Sequence, residues 1–358
     1  MTSPCNAAFA IVCEATFASL TCASSAPQPI VPASATQWMQ TFNRLLIQCS
    51  PFNSSAMADS AADKPAAAPA PVEAPAADLE YASSCFLPTT FVDLPLIAKT
   101  EYNHDSTVYE FGLPEGKSLN LPVCACILLK APGRGRGPGG KDDWDGSDAI
   151  RPYTPMSDNS MLGKFQLLVK RYDGGAVSQH LFGLEIGAKV GFKHIKFNIK
   201  AQYPFEGKKT ISMICAGTGL TPMYQALWKL LGTPGDDRKV VLMYGNKTVE
   251  DVLMKEQLNE WAQKAGDRLK LVHVVGNAPD DPAPAGWVDT PEYIAETGWV
   301  DKAKIEKYCF PPSEDTLVFV CGLPPMYKAL CGDRGEKELA EGTVLHQLGY
   351  TTSMVAKM

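Results

Sequence analysis

The sequence predicts two folded parts in series, an antiparallel β-barrel followed by an α/β domain built on a doubly wound parallel sheet. Three observations carry that prediction. From Phe86 to about Phe205, short β-type runs are separated by turn residues with no helical spacing between them. After Lys209 the texture changes to apolar strand-like runs alternating with helix-spaced segments. A chain of 358 residues that is 45% hydrophobic and 20% charged has enough apolar side chains to fill a core in each part.

Taken in order, residues 1–82 stand apart from the rest. They are dominated by Ala, Ser, Pro and Thr, with Arg44 the only Arg and Lys64 the only Lys. Such a segment buries too little apolar area to offset its ordering entropy. It reads as a disordered leader, an organelle transit peptide, or an extension upstream of a start at Met57, so mitochondrial import and a cytoplasmic location both stay open. The stretch from Pro65 to Ala77 is a Pro-Ala linker. The barrel is expected over 83–207, with strands at Thr107–Phe111, Cys124–Lys130, Lys164–Tyr172 and Lys189–Phe197, and a Gly-rich solvated excursion at Gly133–Asp148. The α/β domain is expected over 208–358. Its strands are Thr210–Cys215, Lys239–Tyr244, Leu269–Val275 and Thr316–Cys321, and its helices are Pro222–Leu231 and Val252–Ala265.

Composition also excludes functions. A formal net charge of -6 argues against nucleic-acid binding, which needs a surplus of cations on the bound face. The 11 Cys lack metal-knuckle spacing, the nearest pair being Cys124 and Cys126, so they read as reduced thiols and no metal is expected. The best apolar run, Ala7 to Cys22, is interrupted by Glu14, so no transmembrane segment is expected.

Four motifs carry chemistry. In Arg151-Pro152-Tyr153-Thr154-Pro155, strand alternation sends Arg151, Tyr153 and Pro155 to one face, where a guanidinium can fork onto phosphate beside a ring that stacks on a flat cofactor. The alternative is a solvated edge strand. In Lys170-Arg171-Tyr172 followed by Gly174-Gly175-Ala176-Val177-Ser178, glycines before a helix let backbone N–H groups approach an anion, and Ser178 either bonds phosphate or is an ordinary N-cap. Ala216-Gly217-Thr218-Gly219-Leu220-Thr221-Pro222 follows a strand and opens a helix, as a dinucleotide turn does; a plain tight turn with Pro222 at N1 is the other reading. Cys321-Gly322-Leu323-Pro324-Pro325-Met326 ends another strand, where open α/β sheets bind ligands, although a Cys there is commonly just a small buried hydrophobe.

In this order, RPYTP, GGAVS, AGTGLTPM and CGLPPM resemble the ferredoxin-NADP reductase superfamily, and specifically its NADH-cytochrome b5 reductase branch. Leu96–Phe111 (LIAKTEYNHDSTVYEF) and the ending LHQLGYTTSMVAKM add to the resemblance, which runs from about Phe86 to the end of the sequence. It implies an FAD-binding barrel followed by an NAD-binding α/β domain, a hydride passed from NADH to FAD, and single electrons passed on to cytochrome b5 or a similar acidic haem protein. FAD contacts would come from Arg151, Pro152, Tyr153, Thr154, Lys170, Tyr172, Gly175, Val177, Ser178 and Thr221. Gly217, Thr218, Gly219 and Pro222 would hold the nicotinamide coenzyme, with Cys321, Gly322, Pro324 and Met326 beside the transferred hydride. His104 and Thr154 would relay a proton at the flavin, although His104 alone reads as a residue of a polar surface turn. Lys189, Lys193, Lys196 and Lys200, in the acid-free stretch between Glu185 and Glu206, with Lys208 and Lys209 soon after, are suited to steering an acidic partner toward a monomeric enzyme, or are simply a solvated strand face.

The chain departs from that pattern in several places. Ala176 stands where a Lys is usual, Leu323 replaces a Pro and Ala216 a Gly, Cys124-Ala125-Cys126 replaces Gly-Gln-His, and Met358 replaces an aromatic residue. Gly276 lies where an Asp commonly repels the 2'-phosphate, so NADPH stays open as a coenzyme. Two other functions fit the same cofactors: a reductase for another one-electron or quinone acceptor, and a non-catalytic flavoprotein scaffold.

Overall fold

The computed structural model describes residues 85–136, 145–194 and 201–358. The leader, the Pro-Ala linker, the centre of the Gly133–Asp148 loop and the end of the Lys189–Phe197 run lie outside the described residues.

Period-two burial builds the first sheet from β1 (Val92–Glu101), β2 (Ser106–Gly112), β3 (Ile127–Ala131), β4 (Ala149–Tyr153), β5 (Lys164–Lys170) and β6 (Lys189–Lys193). In β3, Ile127, Leu129 and Ala131 are fully buried while Leu128 and Lys130 are only partly covered. The order is β4-β3-β6-β1-β2-β5 and every pairing is antiparallel, as expected of a barrel sheet. Phe111, Phe165 and Phe192 fill its interior with ring centroids 4.7 to 5.5 Å apart. The chain leaving β4 returns to the opposite edge, where Met156 N–H donates to the Gln166 carbonyl at 3.0 Å.

Two local expectations need correction, and one strand lies where none is expected. The run from Cys124 becomes strand only at Ile127, because Cys124 sits in the left-handed region at φ 65°. A glycine takes that conformation freely, which accounts for the Gly that the resemblance places there. α1 (Ala176–Phe182) is capped by Gly175, not by Ser178, whose hydroxyl turns back to accept from Tyr172 N–H at 3.2 Å. β1 carries no prediction, yet it is a central strand between β6 and β2 despite Pro95.

The second sheet contains β7 (Thr210–Ala216), β8 (Lys239–Asn246), β9 (Leu269–Val275), β10 (Tyr293–Thr297), β11 (Thr316–Cys321) and β12 (Val355–Lys357). Its order is β10-β9-β8-β7-β11-β12, with every pairing parallel. β7, β8 and β11 are buried along most of their length, the mark of strands covered on both faces. The helices α2 (Leu220–Gly232), α3 (Lys255–Ala265), α4 (Lys302–Tyr308), α5 (Pro324–Leu330) and α6 (Val344–Gln347) complete it. Pro222 lies in the first turn of α2 but at its third residue, not at N1, because Gly217–Gly219 form a separate 3-10 turn capped into the helix by Gly219. A missing N–H is tolerated there because the first turn has no intrahelical acceptor for it.

β7 has β8 on one side and β11 on the other, so the winding reverses between them. That reversal opens a crevice at the carboxyl ends of β7 and β11. The barrel covers it: Val108, Met156 and Leu168 belong to the same apolar cluster as Met213, Met223 and Phe319. Among the described residues no helix is long and apolar enough to cross a membrane.

Candidate active site

A cleft of about 460 Å³ lies at this junction, a size suited to a ring-system ligand. The barrel wall presents Cys124, Cys126, Leu128, Pro152, Tyr153, Thr154, Leu168 and Tyr172. Facing it are Ala216, Thr218, Gly219, Thr221 and Pro222 from the turn after β7, Cys321, Gly322 and Leu323 from the turn after β11, and Tyr327, Arg334, Gly335 and Met358. Tyr153 and Cys321 therefore wall one cavity.

Close backbone packing makes the far wall flat. A Cβ on Gly219 would lie 2.2 Å from the Cys321 carbonyl oxygen, so only a glycine lets the two turns touch. At Gly322 a Cβ would meet only the movable Met326 Sδ, at 2.5 Å, so the restriction there is weaker. Gly217 takes φ 53°, and its carbonyl accepts from the Tyr244 hydroxyl at 3.0 Å. On the barrel side a Cβ on Gly175 would meet Ser178 Oγ at 2.3 Å and the Tyr172 carbonyl at 3.1 Å, so the turn before α1 is drawn equally tight.

The thiol and phenols of the cleft walls are uncharged, and Arg334 is the charged side chain in the lining. Burial pushes the Cys321 thiol up, with hydrogen bonding to Tyr327 and the Arg334 charge offsetting part of the rise, so it remains a thiol at neutral pH. Burial raises Tyr153 as well, opposed by Arg151. Tyr172 also rises through burial, with the neighbouring Thr218 side chain offsetting part of the rise. These groups offer surface and hydrogen-bond donors rather than charge.

Of the residues expected from sequence, Pro152, Tyr153, Thr154, Tyr172, Thr218, Gly219, Thr221, Pro222, Cys321 and Gly322 meet on the cleft. Gly217, Pro324 and Met326 lie beside it in the two turns. Arg151 is exposed and donates to the Ile150 carbonyl at 2.8 Å. Gly175, Val177 and Ser178 form the start of α1, away from the cleft lining. His104 stands outside this set, its side chain 58% exposed and its Nε2 3.5 Å from both Asp105 and Asp251. Lys170 is turned away as well, toward Asp105 at 2.6 Å and Asp251 at 2.8 Å. His104, Asp105 and Asp251 bring ligand atoms within 4.8 Å of one another, but the Lys170 ammonium already supplies the cation those carboxylates require.

Sequence reasoning missed Leu128, Leu168, Tyr327, Arg334 and Gly335. Leu128 and Leu168 lie inside predicted strands, where alternation alone does not say which face meets a second domain. Tyr327 follows the CGLPPM motif directly, which was the available signal. Arg334 has none, because it reaches the cleft only through a tertiary bond from Nε to the Met358 main-chain oxygen at 2.7 Å. Of the cationic stretch, Lys196 and Lys200 lie outside the described residues, while Lys208 Nζ donates to the Glu314 and Thr316 carbonyls at 2.6 and 3.2 Å.

Known proteins share this plan. The Oxidoreductase FAD-binding domain family matches residues 93–199, and the Oxidoreductase NAD-binding domain family matches residues 213–332. The chain is 35% identical over 272 residues to NADH-cytochrome b5 reductase 2 of Kluyveromyces lactis, covering 75% of this chain and 83% of that one. It is 36% identical over 274 residues to NADH-cytochrome b5 reductase 2 of Mycosarcoma maydis, covering 75% and 72%. Its structure is similar to that of the cytochrome b5 reductase domain of Ulva prolifera nitrate reductase, with a TM-score of 0.61 and 29% identity over 76% of this chain and 98% of that one. An antiparallel barrel, a parallel sheet with its switch point at the cleft, and these relatives agree: the chain belongs to the NADH-cytochrome b5 reductase family.

Proposed function

We propose that the protein is an FAD-dependent reductase that oxidises NADH and delivers electrons one at a time to cytochrome b5 or a similar haem acceptor. The single observation that carries this reading is the shared cleft, with Tyr153 on the barrel wall and Cys321 at the switch point of the parallel sheet. The residues fit both cofactors: a flat apolar slot bounded by Pro152, Tyr153 and Tyr172 suits a ring system, and Gly217, Gly219 and Gly322 let backbone approach a second ring from the other side. FAD, when bound, supplies the conversion of a two-electron hydride into single electrons.

The protein contributes geometry. Tyr153 and Pro152 would hold the flavin from the barrel wall, and Thr154, also on the cleft, would offer it a hydrogen-bond donor. Gly219 and Cys321, held in backbone contact, would form the surface that receives the nicotinamide, and the neutral Cys321 thiol adds no charge to it. Arg151, exposed in the middle of β4, is the guanidinium that would turn from the Ile150 carbonyl to FAD phosphate. Lys189 and Lys193, on β6, offer cationic side chains to an acidic haem partner.

Coenzyme choice rests on something other than a carboxylate at residue 276. A Cβ on Gly276 would stand 2.9 Å from both the N and Cα of Gly298, so an Asp there would displace the turn after β10. Anaerobic titration of the purified yellow protein with NADH, then NADPH, tests the whole reading. Stoichiometric bleaching of the flavin band by NADH, followed by reduction of added cytochrome b5, is expected. A preparation that takes up no FAD, or stays yellow with both coenzymes, would refute it.

A further inference from the structure

We propose that Asp251 and Lys170 form a clasp that sets the spacing of the two cleft walls, making Asp251 a positioning residue for hydride transfer; this rests on the reductase reading above. Lys170 ends β5, between Leu168 and Tyr172, both of which line the cleft. Its ammonium lies 2.6 Å from Asp105 in the β1–β2 turn and 2.8 Å from Asp251 in the loop after β8. The Asp251 side chain is only 6% exposed. Its second oxygen accepts from the Thr248 N–H and hydroxyl at 3.2 and 3.3 Å, which fixes the plane of the carboxylate.

Neutral bonds reinforce the same junction. Asn103 Nδ2 donates to the Glu250 carbonyl at 3.0 Å, and Met254 N–H donates to the Tyr102 hydroxyl at 2.8 Å. The loop is wired onward to the cleft. Leu253 N–H donates to the Tyr244 hydroxyl at 3.3 Å, and that hydroxyl donates to the Gly217 carbonyl at 3.0 Å. The next residue, Thr218, lines the cleft together with Tyr172, which stands two residues beyond Lys170. The contacts therefore run from Lys170 through the loop after β8 to the turn at Gly217, which faces the cleft across from Tyr172 on the same short segment of the barrel.

Stability alone gives little reason for this arrangement. Well-packed apolar residues generally hold a junction as firmly as a buried ion pair, since desolvation offsets most of the attraction. Charge adds direction: the apolar contacts of Val108, Met156 and Leu168 tolerate sliding, whereas a carboxylate oriented by Thr248 and held to an ammonium does not. Small displacements of the turn at Gly217–Gly219 matter because hydride transfer is steeply sensitive to separation.

The test compares FAD-loaded wild type with Asp251→Asn and Asp251→Glu. Asp251→Asn is expected to keep its full complement of FAD and bind NADH within about twofold of wild type, while its flavin-reduction rate at saturating NADH falls about tenfold. Asp251→Glu is expected to recover most of that loss. Hydrogen–deuterium exchange is expected to rise at 217–219 as well as at 248–254 in Asp251→Asn. An unchanged reduction rate, or a change confined to NADH affinity, would overturn the clasp. So would unchanged exchange at 217–219, and that measurement decides the matter even if NADH fails to bleach the wild type and the reductase reading itself is lost. Should Asp251→Asn not fold, Tyr102→Phe removes a neutral bond of the same junction and is expected to show a smaller fall of the same kind; no fall would overturn the proposal.

Discussion

Two seams join the barrel to the α/β half, and they are made of opposite chemistry. At the first, the Lys170 ammonium lies between two carboxylates, with His104 beside them. At the second, the Gln225 side chain on α2 bridges the halves without charge, accepting from Cys124 N–H at 2.8 Å and donating to the Pro155 and Ser157 carbonyls. The Cys124 thiol adds a bond to the Pro222 carbonyl at 3.1 Å. Both seams fasten segments that line the cleft, so the difference lies in what perturbs them. An amide bridge answers to shape alone, while an ion pair answers to shape and to pH.

The largest effect should come from breaking the charged seam. Lys170→Met leaves Asp105 and Asp251 facing one another without a cation, and urea unfolding is expected to show a loss of about 3 kcal/mol. The pH response carries a defined sign. Burial pushes Asp251 up, but the Lys170 hydrogen bond and charge, together with Thr248, bring its carboxyl below the ordinary value of 3.8. Its contribution is therefore complete above pH 3.8 and disappears as pH falls through the lower folded value. Lys170 is opposed by burial yet raised above 10.5 by Asp105 and Asp251, so its contribution is complete below 10.5 and is lost at still higher pH. Lys170→Met should abolish the alkaline slope and reverse the acid one, because two carboxylates left without a cation hold a proton more tightly folded than unfolded.

Acid sensitivity from another source has to be separated first. His273 in β9 is fully buried, and neither ring nitrogen has a hydrogen-bond partner among the described residues. Burial, with the charge of Lys255 adding to it, lowers its pKa from 6.5 to about 3, so it destabilises the fold progressively as pH falls below 6.5. Wild type at pH 5 should be about 2 kcal/mol less stable on this account than at pH 7. His273→Phe should flatten that slope and leave the one below pH 3.8 in place.

Gln225→Leu sharpens the contrast from the neutral side. It leaves the Cys124 N–H and the Pro155 carbonyl without their amide partner, for an expected loss of about 1–2 kcal/mol that does not vary with pH between the His273 and Lys170 ranges. The smallest effect should be that of salt. Raising ionic strength screens exposed charges, but Asp251 is nearly sealed, so the charged seam should weaken by no more than about 0.5 kcal/mol. A large salt effect would mean that the seam is wet and that the contrast is wrong.

Much of the site was legible because its signals are local. Gly217 is required by its backbone conformation and Gly219 by close approach within strand-to-helix turns, and a motif reports such requirements directly. Tyr153, Thr154 and Cys321 follow from being at the ends of strands. Lys170 and His104 show where this fails. Each stands beside a motif, yet their partners include Asp251, 81 residues from Lys170 along the chain, and no local pattern announces it.

The sequence by itself determined the order of a barrel and a parallel α/β sheet, because period-two burial and buried apolar runs are properties of single strands. It also determined where the nucleotide-type turns fall. Only the tertiary structure decided which side chains face the shared cleft, that Lys170 pairs with Asp251, and that Arg334 reaches the site at all. Contacts between distant segments depend on how two completed cores dock, and that energy is distributed over a whole interface rather than written in any one stretch of residues.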